Sequence, residues 1–146
     1  MSVRRPPADQ RPLTTSADLR ALWRSVLVTE PFRVRCLWLL FLDPRSRPAG
    51  PLLTVEDLPD GPYDLRNEDL VTLCRGILDG PGADPARQGS VAMLTSRPGG
   101  APWTVSDRAW GRFLLGAAER VGGRVWPVHQ AHHSVLEEFR PPVFSA

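Results

Sequence analysis

Ser90–Ala109 reads SVAMLTSRPGGAPWTVSDRA, and this stretch decides the fold. Ser90–Leu94 is a short apolar run that predicts a buried strand. The Pro and Gly residues that follow predict a loop. Thr104 and Asp107 stand in the T-x-x-D relation of a capping box variant, predicting a helix from about Ser106 to Val121. In an α/β domain such a junction gathers side chains and backbone N–H groups outside the end of a strand. The residues gathered here, Thr95, Ser96, Arg97, Thr104 and Asp107, are mostly the wrong types for catalysis.

Working outward, Leu13–Val28 predicts a first helix. Thr14, Thr15 and Ser16 offer capping hydroxyls, and Leu19, Leu22, Trp23, Val26 and Leu27 share one face. Phe32–Asp43 predicts the strongest strand. Its first part alternates, with Arg33 and Arg35 outward, and its second part, CLWLLFL, is continuously apolar and covered on both faces. Pro44–Pro48 is a turn, and Pro51–Val55 returns as an antiparallel partner. Asn67 caps a second helix that Gly80, Pro81 and Gly82 end. A Gly/Pro/Asp-rich loop over residues 79–89 leads into Ser90. After Gly122 and Gly123, two short strands are predicted at Arg124–His129 and Ser134–Phe139, joined around Gln130–His133. The order predicts an α/β (α+β) domain: a mixed sheet of about five strands flanked by three helices.

Residues 1–12 carry Arg4, Arg5 and Arg11 against Asp9 and predict a flexible Arg/Pro-rich arm. The single domain then spans 13–140, and 141–146 is an irregular tail. All 18 basic residues are Arg, a bias expected of a GC-rich bacterial genome. The net charge of +2 belongs to the arm. The remainder is neutral, which argues against a nucleic-acid-binding domain. Cys36 and Cys74 lie in apolar runs with no CxxC, as free thiols in a reducing compartment do. The N-terminus has no apolar signal core, and the longest apolar run, Cys36–Leu42, is too short to span a membrane. The chain is expected to be cytoplasmic. Residues 56–69 hold six acids against Arg66; without liganding spacing they read as a solvated connection.

The layout from about Ser16 to Phe139 resembles the RadC-like branch of the JAB/MPN metalloprotease superfamily, a cytidine-deaminase-like architecture. The resemblance rests on TEPFRVRCLWLLFLDPRSRP, on NEDLVTLCRGIL and above all on SVAMLTSRPGGAPWTVSDRAW. Active members carry H-x-H-P-[SG]-G and then S-x-x-D, whose two histidines and aspartate hold zinc. A glutamate on an earlier strand is the base. The histidine positions fall here on Thr95 and Arg97, and the S-x-x-D positions on Thr104 and Asp107. The glutamate position falls near Pro51 or Leu52, where no acid stands; Glu56 is the nearest. The resemblance therefore implies a degenerate, catalytically inactive domain with no metal and no cofactor, acting through a protein partner. Arg97 is expected to take the former metal position and pair with Asp107.

The residues also allow other chemistry. Ser96, Arg97, Asp107 and His129 form a polar set that could hold an anionic group or support hydrolysis without metal. The resemblance places His129 on a strand facing the old active site. His129, His132 and His133 are the only histidines; an exposed hairpin turn is expected, with metal binding as the other reading. Trp103, set among Gly and Pro, either stacks on a partner or closes one end of the core.

Overall fold

A computed structural model describes residues 1–5, 11–80, 88–133 and 135–141. These residues fold as an α+β domain with a mixed six-stranded sheet and three helices. The strands are β1 (Ser2–Arg4), β2 (Cys36–Leu42), β3 (Pro48–Val55), β4 (Ser90–Ser96), β5 (His129–His132) and β6 (Val135–Glu138), and the helices are α1 (Ser16–Leu27), α2 (Asn67–Leu78) and α3 (Val105–Val121). The sheet order is β1-β3-β2-β4-β5-β6. Only β4 and β5 run parallel, with α3 as their crossover; the other neighbours are antiparallel.

The apolar run of β2 is covered on both sides, as its composition demands. Trp38, Leu40 and Leu42 pack with Leu19, Leu22 and Trp23 of α1. Leu37, Leu39 and Phe41 pack with Cys74 of α2 and with Leu114, Ala117 and Val121 of α3. Two cores therefore sandwich one sheet. α1 and α3 each begin with a full capping box, Thr15 with Asp18 and Thr104 with Asp107. Among the described residues no helix is long and apolar enough to cross a membrane.

The structure corrects several expectations. The N-terminal arm is not wholly irregular: Ser2–Arg4 pairs with Leu52–Thr54. The Arg4 guanidinium sits 4.8 Å from the Trp38 ring centroid and pairs with Glu30, and these contacts anchor the strand. Residues 6–10 of that arm, 81–87 of the long loop, 142–146 of the tail and Ser134 lie outside the described residues.

Phe32–Arg35 is not part of the strand. Phe32 takes a positive φ of 49°, which breaks the extended run, so β2 starts at Cys36. Asn67 is the first helical residue rather than the cap. Arg66 occupies the cap position without a side-chain bond, and Asn67 Oδ1 accepts from Arg120 Nη1 at 2.6 Å. Residues 124–128 form no strand. Trp126 there fills the core on the α1 side, and β5 begins only at His129. Gln130–His132, expected in a turn, is therefore strand.

Candidate functional site

The site lies where the parallel strands β4 and β5 end beside the start of α3. Thr95 is opposite Gln130, and Arg97 N–H extends the pairing by donating to Ala131 O at 3.1 Å. The loop 98–103 then turns the chain back, with Gly99 at a φ of 84° that a side chain would resist. This turn sets the N-terminus of α3 over the strand ends. Asp107, in the first turn of α3, faces the buried end of Arg97.

Arg97 is 8% exposed and Asp107 2%. Arg97 Nε donates to both carboxylate oxygens, at 2.8 and 3.0 Å. Its Nη1 donates to Pro98 O at 2.9 Å, and its Nη2 to Gly100 O and Pro102 O, both at 3.1 Å. A guanidinium has five N–H donors, so this one side chain ties the carboxylate and three loop carbonyls together. Asp107 Oδ1 also accepts from Arg35 Nη1 at 3.0 Å, and Oδ2 from Thr104 N–H at 2.8 Å. Burial pushes the Asp107 carboxyl up. Hydrogen bonds from Arg97, Thr104 N–H and Arg35 outweigh it, and the pKa ends below the usual carboxylate value.

Around this centre, Gln130 Nε2 donates to Asp107 O at 2.6 Å and lies 3.4 Å from Thr95 Oγ1. Trp103 closes the outer side. Its ring lies 4.9 Å from the His132 ring and 5.6 Å from the Arg97 guanidinium, and its Nε1 donates to Glu137 Oε2 at 2.8 Å. Trp103 thus covers the Arg97 end of the site. Burial and the neighbouring Arg97 push the His132 pKa down, which leaves a neutral imidazole at neutral pH.

Not every expected residue joins this site. Ser96 follows the Ala92–Leu94 parity and faces α1, where its Oγ accepts from Trp38 Nε1 at 2.9 Å. His129 shares its face with Ala131, also toward α1, and so points away from Asp107. Its Nδ1 is buried with no hydrogen-bond partner among the described residues. Ser96 and His129 therefore form no nucleophile and base pair with Asp107. Nor are the histidines an exposed turn: His129 and His132 are buried in β5, and only His133 is exposed. Arg35, Gln130 and Glu137 belong to the site and were not singled out in the sequence, and His132 belongs to it although an exposed turn was expected there. Alternation along His129–His132 would have put Gln130 and His132 on one face, had the strand been placed there.

The zinc that active members of the resembled family hold does not fit these residues. A hydrolytic zinc needs about three N, O or S ligands and an open position. Both Asp107 oxygens are engaged by guanidinium and amide donors, and two arginine charges face any dication placed there. Glu56 lies past the end of β3 and is exposed. Among the described residues no three His, Cys, Asp or Glu side chains converge as a metal site requires. The fold and site together define an α+β domain whose polar centre is an arginine–aspartate cluster. No protein-family model, curated protein or solved structure matches the chain.

Proposed function

We propose that this chain is a catalytically inactive domain of the RadC-like JAB/MPN type that acts by binding a protein partner in the cytoplasm. The observation that carries the proposal is the saturation of Asp107. Arg97, Arg35 and Thr104 N–H occupy the carboxylate that would otherwise hold metal. What supports the family part is the order of a buried strand, a Pro/Gly loop and a helix opened by T-x-x-D. A domain that keeps its scaffold and has its reactive centre filled can still present surfaces, and the site rather than the fold decides function. The cytoplasmic part rests on two free thiols. Burial pushes Cys74 up to about 12, so it stays protonated and inert.

The alternative of an anion held by Arg97 has weaker support. The guanidinium already donates through Nε, Nη1 and both Nη2 hydrogens to groups of its own chain. Zinc analysis after dialysis against excess zinc tests the proposal. The expected result is far less than one zinc per chain and no cleavage of peptide substrates. One zinc per chain, lost on Asp107→Asn, would overturn it.

A further inference from the structure

Among the described residues β6 is the last strand of the sheet, with β5 on one side only. Phe139 N–H donates inward to Val128 O at 2.7 Å, whereas Leu136 O accepts from Arg20 Nη2 at 2.9 Å on the outer side. In an antiparallel strand a residue's N–H and C=O point the same way, alternating along the chain. Leu136 and Glu138 therefore turn both backbone groups outward. A groove of about 740 Å³ lies at the Glu137–Arg140 end of this edge, between the start of α1 and the Trp103 loop. Arg20 stands in it where a further strand would donate its own N–H.

The charge of the groove selects the occupant. Arg20, Arg108 and Arg140 line it and are exposed. The two acids that line it are already engaged: Glu137 accepts from Trp103 Nε1, and Glu138 lies 3.8 Å from Arg140 Nη2. Among the described residues Arg108 reaches only Trp103 O, at 3.4 Å, and Arg20 has one bond, to Leu136 O. Three guanidinium groups thus stand against two carboxylates in this lining, with Arg140 shared with Glu138, so one net positive charge lies along the strand edge. The floor adds buried His129, whose Nδ1 has no partner among the described residues.

We propose that the β6 edge takes an extended acidic segment of a partner protein as a seventh strand. Backbone bonds to Leu136 and Glu138 hold it, and its carboxylates meet Arg20, Arg108 and Arg140. This rests on the binding-domain reading above and names its surface and the chemistry of its partner.

The test uses the full chain and a fluorescein-labelled six-residue peptide alternating glutamate and valine, read by anisotropy and by amide hydrogen exchange. The expected result is saturable binding with new protection at the Leu136 and Glu138 amides. The Arg108→Glu/Arg140→Glu variant is expected to bind about tenfold more weakly with an unchanged melting temperature. An equally tight peptide alternating lysine and valine would overturn the charge argument. Binding without protection at those two amides would overturn the β6 site while leaving the binding-domain reading intact. Protection that appears with protein concentration and no peptide would make a second copy the occupant and overturn the proposal. Zinc-dependent binding or cleavage of the peptide would instead overturn the inactive-domain reading.

Discussion

Replacing Asp107 with Ala is expected to destabilise the domain by about 3–5 kcal/mol, because it leaves Arg97 and Arg35 buried without a counter-charge. The substitution also removes half of the α3 capping box. For a domain of this size the loss lowers the melting temperature by roughly 10 °C or more. Asp107→Asn keeps an acceptor for Thr104 N–H and is expected to fall between the two. The pH dependence follows from the depressed carboxyl. Its contribution is fully present above the unfolded value of about 3.9 and is lost as pH falls through the lower folded value. The stability gap between the native chain and Asp107→Asn should therefore narrow below about pH 4. Denaturant unfolding at pH 7 and at pH 3 measures both effects. A gap under about 1 kcal/mol at pH 7 would mean that the cluster does not hold the site.

The second large effect is expected at Arg97. Arg97→Met keeps much of the apolar stem and removes every guanidinium bond. Asp107 retains Arg35 and Thr104 N–H, so its charge is still paired. Pro98 O, Gly100 O and Pro102 O lose their donor. A cost of about 3 kcal/mol is expected, with faster amide exchange confined to residues 97–104. Trp103 loses the cation beneath its ring, so its fluorescence should become more solvent-like. A role in holding an outside anion predicts the opposite pattern: little loss of stability and loss of anion binding alone.

Local chemistry made part of this legible in the sequence. The T-x-x-D relation of Thr104 and Asp107 is a three-residue signal, and it forms as a capping box. The apolar run of β2 could only be a strand covered on both faces. Arg97 and Asp107 lie ten residues apart across one loop, and their pairing was expected from the positions that the resemblance assigns them.

What stayed hidden depends on distant parts of the chain. Arg35 reaches Asp107 across 72 residues, from the face that Leu37 and Leu39 continue toward α3. No local pattern encodes that. Ser2–Arg4 gains its strand from the edge of β3, not from its own propensity. At the C-terminal strands the boundary was misplaced by several residues. The resemblance places His129 toward the site, whereas alternation along β5 turns it, with Ala131, toward α1. Its neighbours Gln130 and His132 took the place beside Asp107.

Arg97, and not a metal, completes the surroundings of Asp107. The most direct measurement is NMR of the Asp107 carboxyl carbon and the Arg97 Nε–H resonance, with and without excess zinc. The predicted result is a slowly exchanging Arg97 Nε–H and an Asp107 carboxyl that titrates below the unfolded value of about 3.9, neither moved by zinc. A zinc-induced shift of Asp107 with loss of the protected Arg97 Nε–H would contradict the claim.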